Sequence, residues 1–341
     1  MTRKVTIKPS NHVFHVNEGE TVLDAALREG LVIAYGCRHG SCGTCKGRLL
    51  EGAVDYGVYQ EHALSDAERS AGMALFCQAR ALNDLVIEVR EVNAAKGIEI
   101  RTLPARVHKM ERAAADVMLL ELKLPAGERL RFLAGQYIDL MLRDGTRRSF
   151  SMANAPHDEA FLQLHFRNYG GPFSDYIFGR MKERDILRFE GPFGTFFLRE
   201  DSTKPVVLLA SGTGFAPIKA IVEHVLHAGV RRPMALYWGC RTRADLYLNE
   251  LPERWRREHG VRYVPVLSEP LRGDGWSGRT GLVHHAVMAD FPDLSGYQVY
   301  ASGAPAMVEA AHADLTSRCG LPEDELYSDA FTPYVPTGGT A

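Results

Sequence analysis

Nowhere in this sequence is there an apolar run that reaches across a bilayer. The longest, such as Val206–Ala210, fall far short of the roughly 20 residues a membrane helix requires. Bulk charge is lacking too. Basic and acidic side chains number 40 and 42, a net charge of −2, so no excess of one sign points to nucleic acid or an anionic membrane. The first residues, Met1–Lys8, alternate like a strand and lack the apolar core of a secretory signal. A cytoplasmic location is therefore expected. There is no internal repeat and no low-complexity stretch, although the tail Pro336–Ala341 is expected to be disordered. Cysteine is scarce, six in 341 residues. In a reducing compartment such thiols are metal ligands or free more often than disulfides. The composition, 45% apolar and 24% charged, is that of ordinary globular proteins. The length calls for two or three domains.

What the chain does have is concentrated. Cys37, Cys42 and Cys45 fall within nine residues in C-x4-C-x2-C spacing, among Gly36, Gly40 and Gly43, and Cys77 follows at a distance. This is the plant-type spacing for four thiolates around a 2Fe–2S cluster. A loop wrapping a cluster must turn tightly and present N–H groups to sulfur, which glycine permits through positive φ and close approach. Structural zinc usually takes two close pairs of ligands, and a three-plus-one grouping does not suit it. Free thiols have no need of such crowding. Around the loop, Val5–Ile7 and Val13–Val16 read as paired strands. Thr21 caps a helix with apolar face Val22, Leu23, Ala26 and Leu27, ended by Gly30. Ser65 and Glu68 form a second capping box, for a short helix ending near Gly72. Lys46–Leu50 and Leu85–Val89 read as further strands. Together they make a compact α+β unit. Its motif resembles the plant-type ferredoxin family over residues 1–92, which implies a β-grasp domain. Residues 93–101 read as a short linker.

From Thr102 the pattern becomes short alternating strands with turns, as in Val117–Leu124 and Gln136–Leu142, which suggests a small antiparallel barrel over residues 102–200. Within it lies Arg148-Ser149-Phe150-Ser151. This run is similar to the R-x-[YF]-[ST] flavin motif of the ferredoxin–NADP reductase superfamily. The resemblance implies that Arg148 pairs with an FAD pyrophosphate, that Phe150 lies along the isoalloxazine, and that the Ser151 hydroxyl faces flavin N5; Ser149 belongs to the same binding run. A guanidinium fork suits phosphate oxygens. Gly170–Ser174 precedes a helical stretch, Asp175–Phe178, and a Gly-rich turn into a helix start is an anion site. Gly171 and Ser174 match the family's G-x-x-[ST] element, and Gly191–Gly194 resembles the loop closing the barrel. Turn chemistry alone would also explain each piece taken singly.

The last third, residues 201–335, reads as a parallel-sheet nucleotide-binding domain. Val206–Ala210 is a buried strand, Ser211–Pro217 a Gly-rich turn, and Ile218, Ile221, Val222, Val225 and Leu226 the face of a helix ending at Gly229. Strand, turn and helix form a phosphate cradle. Pro217 is tolerated in the first helical turn. Gly212, Thr213, Gly214 and Pro217 resemble the superfamily's nicotinamide pyrophosphate turn. Gln298–Pro305 resembles its late strand and turn beside the nicotinamide, with Ser302 where many relatives carry cysteine, followed by Gly303. Gly239–Asp245 follows the next strand, where an acid favours the free ribose hydroxyl of NAD and an arginine favours a 2′-phosphate. Arg241 and Asp245 offer both. The Gly-x-Arg-x-x-x-Asp pattern resembles NADH-using members, which favours NADH over NADPH, and Arg241 is placed at the adenosine. Tyr327–Thr332 resembles a segment that brings an aromatic over the flavin, making Phe331 a stacking residue or merely a packing one. Cys240 and Cys319 receive no function.

The resemblance spans nearly the whole chain and is to fused iron–sulfur flavoprotein reductases, with ferredoxin, FAD-barrel and nicotinamide domains in that order. It implies hydride transfer from NADH to FAD and single-electron exit through the cluster. Nicotinamide gives two electrons at once and a 2Fe–2S cluster takes one, so something must convert between them, and a flavin can. No proton-transfer triad is needed. Ser151 and Ser302 are the residues placed at the reacting atoms. His39 is expected to face a docking partner rather than ligate, and Arg38, His39 and Ser41 to form an exposed rim. Two subgroups share the layout: reductases of CDP-6-deoxy-3,4-glucoseen formation, which the run from Arg148 through Pro217 resembles more, and, as the alternative, reductase components of Rieske or di-iron aromatic oxygenases. The partner is accordingly expected to be a dehydrase or an oxygenase component, with no nucleic acid or membrane and a monomeric chain. A passive electron carrier with decayed nucleotide sites is the alternative of another class, and intact Arg148, Ser151, Gly212 and Gly214 weigh against it.

Overall fold

The computed structural model describes residues 2–331, so the expectation for Pro336–Ala341 lies outside the described residues. Two compact units result, the first ending at Ile98 and the second running from Glu99 to Phe331.

The first unit is a five-stranded mixed sheet with one helix across it. In chain order come β1 (Arg3–Lys8), β2 (Val13–Val16), α1 (Val22–Arg28), β3 (Lys46–Glu51), β4 (Val54–Asp55), α2 (Asp66–Ser70), β5 (Met73–Leu75), β6 (Arg80–Ala81) and β7 (Leu85–Glu88). The main sheet runs β2-β1-β7-β3-β5, and β4 and β6 form a separate pair. Alternation explains it: Val5, Ile7, Phe14 and Val16 turn inward and are buried, while their neighbours face out. Thr21 caps α1 by accepting the Asp24 N–H at 3.1 Å, a contact whose loss costs about 1 kcal/mol. Ser65 and Glu68 complete both halves of the capping box on α2.

The second unit begins with a six-stranded antiparallel sheet. Its strands are β8 (Arg101–Ala114), β9 (Val117–Lys123), β10 (Tyr137–Met141), β11 (Arg147–Ser151), β12 (Leu162–Arg167) and β13 (Ile186–Phe193), with α3 (Gly171–Gly179) between the last two. The order is β11-β10-β13-β8-β9-β12. The edge strands meet at a bridge between Met152 and Leu164, which curls the sheet towards a barrel around Val107, Leu120, Leu122, Ile138, Leu164 and Phe189.

The rest is a parallel α/β layer: β14 (Val206–Ser211), α4 (Phe215–Ala228), β15 (Met234–Cys240), α5 (Glu250–His259), β16 (Arg262–Leu267), β17 (Arg279–Thr280), α6 (Val283–Asp290), β18 (Gln298–Gly303), α7 (Pro305–Cys319) and β19 (Leu326–Ala330). The sheet order is β17-β16-β15-β14-β18-β19, every pair parallel. Val206, Leu208 and Ala210 pack under α4, and Val207 and Leu209 under α6 and α7. A strand covered on both faces reads as a continuous apolar run. Connections leave β14 towards β15 on one side and β18 lies on the other, so a crevice opens at the carboxyl ends of β14 and β18. Among the described residues no helix is long and apolar enough to cross a membrane.

Candidate functional site

Three of the four cysteines sit on the turn-rich loop between α1 and β3, and Cys77 lies just beyond β5. The Phe76 N–H donates to the Cys45 carbonyl at 3.1 Å, which ties the fourth cysteine to the third. Sulfur is met by main-chain donors: Cys37 N–H to Cys42 Sγ at 3.3 Å and Ser41 N–H to Cys37 Sγ at 3.4 Å. Glycine is required twice over at Gly40, whose φ is +77° and where a Cβ would lie 2.7 Å from the Val58 carbonyl oxygen. At Gly36 a Cβ would press on Cys42 Sγ at 3.1 Å. As thiols the cysteines pair off. A hydrogen bond from Cys42 holds Cys37 down at about 7, and the same bond, with burial, raises Cys42. Likewise Cys77 is lowered by a bond from Cys45, which is raised in turn. Half of the set thus inclines towards the thiolate form that iron takes. Four gathered sulfurs, N–H groups turned upon them and glycines where a side chain would intrude fit a 2Fe–2S cluster.

The expected rim needs correction at one residue. Arg38 and His39 are half-buried, but Ser41 is buried. The segment after β4 covers it. Gln60 N–H bonds the Gly40 carbonyl at 3.0 Å and the His62 ring bonds the Ser41 carbonyl at 2.8 Å. Val58, 55% exposed, stands on the outer side of that cover. His39 Nδ1 is 3.0 Å from Ser41 Oγ.

The second unit brings together residues far apart in sequence. On β11, Arg148 and Phe150 are half-buried on one face while Arg147 and Ser149 point to the other. Ser149 Oγ bonds Asp139 at 2.6 Å and Arg147 pairs with Glu190, so the Ser149 hydroxyl is already engaged on the other face. The Phe150 ring leans on Phe166 and Phe173, with centroids 4.2 and 5.7 Å away. Ser151 is buried, and its Oγ donates to Asp329 Oδ2 at 3.1 Å. Asp329, on β19, was not singled out from the sequence. The helix expected from Asp175 begins earlier, at Gly171. Gly170 and Gly171 have φ of +76° and +82°, and the helix start has no side-chain cap. No side chain therefore claims its first N–H groups, which an anion cradle requires. Ser174 Oγ turns back to accept the Tyr169 N–H at 3.3 Å.

The crevice at β14 and β18 is made of two interlocked turns. Gly212–Gly214 forms a 3-10 turn leading into α4. A Cβ on Gly214 would lie 2.1 Å from the Ser302 carbonyl oxygen. Gly303 has φ +131°, and the Ala304 N–H donates to Ser211 Oγ at 2.9 Å. Thr213 and Pro217 are buried beneath. Ser302 pairs in register with Ala210 on one side and Asp329 on the other. It is fully buried, and its Oγ has no hydrogen-bond partner among the described residues. Phe331 N–H bonds the Gly303 carbonyl at 2.8 Å, which extends β19 to the crevice mouth. The glycine cradle, the unclaimed Ser302 hydroxyl and the adjacent Ser151–Asp329 pair fit a nicotinamide nucleotide meeting a flavin. Arg241 is exposed. Asp245 is committed elsewhere: its carboxylate closes a capping box with Thr242 and accepts from Arg167 at 3.1 Å.

Sequence reading also missed the ties between barrel and nucleotide sheet. Arg167 bridges Asp116 at 3.0 Å and Asp245, and its Nη1 occupies the space a Cβ on Gly212 would need. Lys219, buried on α4, bonds the Ala153 carbonyl, Gln163 and Glu223 at 3.0, 3.1 and 2.8 Å. A lysine among the apolar positions of α4 was the available signal. An open cavity of about 990 Å³ adjoins Lys219, His165, Tyr247 and Trp276, but Ser151, Gly214 and Ser302 do not line it. His165 bonds Tyr247 at 2.9 Å, and burial, with the nearby Lys219 charge, lowers its pKa to about 3. The unfolded chain therefore binds a proton there below about pH 6.5 that the folded chain refuses until about pH 3. Stability from this group is whole above pH 6.5 and falls as pH drops through that window. His165→Asn is expected to flatten the decline of the urea midpoint between pH 6.5 and 4; an unchanged pH profile would count against it.

Three family models match in chain order: the 2Fe-2S iron-sulfur cluster binding domain over residues 5–82, the oxidoreductase FAD-binding domain over 104–198, and the oxidoreductase NAD-binding domain over 208–313. Over 337 residues the chain is 40% identical to the CDP-6-deoxy-L-threo-D-glycero-4-hexulose-3-dehydrase reductase of Yersinia pseudotuberculosis, covering 98% of this chain and 99% of that protein. The chain belongs to the iron–sulfur flavoprotein reductases of the ferredoxin–NADP reductase superfamily. It is also 34% identical to reductase component 1 of terephthalate 1,2-dioxygenase from a Comamonas species, covering 99% of each chain. Among solved structures, the reductase is similar to the Amycolatopsis cytochrome P450 reductase GcoB, with a TM-score of 0.79, 34% identity and coverage of 97% and 99%. The expected fold is borne out: ferredoxin domain, antiparallel FAD-binding sheet and parallel nucleotide sheet. The reductase is an NAD(P)H-dependent oxidoreductase with 2Fe–2S and FAD sites, which passes electrons from the nicotinamide to the cluster.

Proposed function

We propose that this reductase draws on NADH and supplies a dehydrase that acts on a CDP-linked deoxyhexulose. What supports this reading is the 40% identity, end to end, with a relative that bears that name. When bound, FAD accepts a hydride from the nicotinamide and releases its electrons one at a time to the cluster. The chain's residues bind and orient. Arg148 and the α3 start at Gly171 and Ser174 take the FAD phosphates, and Phe150 supports the ring. Ser151 holds its proton on Asp329, which leaves its oxygen lone pairs to accept an N–H. Gly212, Thr213, Gly214 and Pro217 cradle the nucleotide pyrophosphate, Ser302 and Gly303 border the nicotinamide, and Phe331 covers the ring face until nicotinamide arrives. Cys37, Cys42, Cys45 and Cys77 ligate iron. The corresponding domains are residues 1–92, 102–200 and 201–335, joined by residues 93–101. The reductase acts as a cytoplasmic monomer, and Arg38 and His39 at the cluster loop form the docking rim.

The test is NADH oxidation by the purified reductase mixed with the dehydrase and its CDP-sugar substrate, beside a parallel mixture with an aromatic oxygenase component. Turnover only with the oxygenase would replace the dehydrase by the second kind of partner. With Asp245 already committed, the preference for NADH rests on the Gly239–Asp245 resemblance. We expect kcat/KM to favour NADH by about tenfold or more, and Arg241→Ala to lower kcat/KM for NADPH more than for NADH. Ser151→Ala is expected to slow flavin reduction by about tenfold or more, with the KM for NADH nearly unchanged; an unaltered rate would remove Ser151 from the reacting atoms.

A further inference from the structure

The side of the nucleotide sheet covered by α6 and α7 carries a group that the electron path does not use. His284 and His285 stand in the first turn of α6 and Asp314 on α7, and one ligand atom from each lies within 4.8 Å of the others. His284 Nε2 is 3.3 Å, and His285 Nε2 3.8 Å, from the same oxygen, Asp314 Oδ2. His284 is buried, Asp314 is half-buried and His285 is exposed. We propose that His284, His285 and Asp314 hold a divalent transition metal of the zinc class, which staples α6 to α7.

Ligand chemistry selects the ion. Two imidazoles and one carboxylate suit zinc and its neighbours, whereas calcium and magnesium take oxygens. A tetrahedral zinc keeps nitrogen and oxygen donors about 2.0–2.2 Å away, and so roughly 3.3–3.5 Å from one another. The His284–Asp314 pair already has that spacing. His285 has to bring its exposed ring inward from 3.8 Å to that spacing on Asp314, and its ring centroid already lies 4.3 Å from that of His284. Arg318 approaches the other carboxylate oxygen, Oδ1, at 3.4 Å, which leaves Oδ2 for the ion. The fourth position opens to water. His284 Nδ1 is buried with no hydrogen-bond partner among the described residues. A metal on Nε2 would place the ring proton there without an acceptor. Lack of that outer support weakens a site by about 10–100-fold, so occupancy should follow the supply of metal.

The experiment uses the full chain loaded with cluster and flavin, freed of stray metal by a mild chelator and titrated with Zn2+ alone by calorimetry. One equivalent of zinc is expected to bind, and saturating zinc to raise Tm by about 5 °C. His285→Ala, at an exposed position, should keep the metal-free Tm and lose the zinc-dependent rise. Asp314→Asn should weaken binding by about tenfold or more. No zinc uptake by the wild-type chain, or the same isotherm and Tm rise in His285→Ala, would overturn the assignment; the second outcome would place the zinc at other ligands.

Discussion

Adding one methyl group to Gly214 is expected to slow NADH-driven flavin reduction by about 100-fold or more while leaving the cluster spectrum intact. Gly214 sits at φ −57° and ψ −13°, angles that any residue adopts, so backbone strain is not the cause. Space is. The new Cβ would stand 2.1 Å from the Ser302 carbonyl oxygen, 2.5 Å from its carbon and 2.7 Å from Gly303 Cα. All three are main-chain atoms, and no rotamer change can relieve them. Either the turn after β14 or the turn after β18 must shift by about 1 Å, and a displacement of that size at a reacting centre costs on the order of 100-fold. Both turns carry residues assigned to the nucleotide, so a shift of either misplaces the hydride donor. The measurement is stopped-flow bleaching of the flavin by NADH in Gly214→Ala. Gly229→Ala is the control, since a Cβ there meets nothing within 4 Å, and its left-handed φ should affect stability alone. If Gly214→Ala kept a rate within threefold of wild type, the crevice would not be where the nucleotide reacts.

The contrast between what could and could not be read in advance follows the range of the interactions. The cysteine ligands were legible because three of them share one loop and their spacing is itself the chemical signal. Ser211–Pro217 was legible for the same reason: strand, glycine turn and helix are contiguous. Asp329 was not, because its partner Ser151 lies 178 residues away and only the pairing of β18 with β19 brings it there. Arg167 and Lys219 were hidden in the same way, since each ties the barrel to the nucleotide sheet through atoms that sequence order does not bring together. Asp245 was half legible: the sequence offered an acid and an arginine after β15, but it could not show that capping of the turn at Thr242 and the reach of Arg167 engage both carboxylate oxygens. Ser41 was placed on the rim by its neighbours in sequence and buried by a segment some twenty residues further on. Strands as short as β4, β5 and β6 carry too few residues for alternation to show.

Replacing Cys42 by alanine is expected to lower NADH-dependent reduction of cytochrome c by about 100-fold or more while NADH still bleaches the flavin at close to the wild-type rate. The loss has two parts. A plant-type cluster needs all four thiolates, and Cys42 is one. It also supports a second ligand, since it accepts the Cys37 N–H at 3.3 Å and holds the Cys37 thiol down at about 7. Without it the Cys37 pKa moves back up, and fewer thiolates are present to recruit iron near neutral pH. The sparing of the flavin follows from where the other residues lie. Arg148, Ser151, Gly214, Ser302 and Asp329 all belong to the compact unit that starts at Glu99, and the four cysteines belong to the one that ends at Ile98. A defect in one fold need not propagate to the other unless its core collapses, and Tm monitors that. Cys319→Ala is the control for loss of a thiol as such, being a buried cysteine of the nucleotide domain. If Cys42→Ala stopped flavin bleaching as well, with Tm unchanged, the cysteine unit would be required for hydride transfer itself and would be more than an exit for electrons.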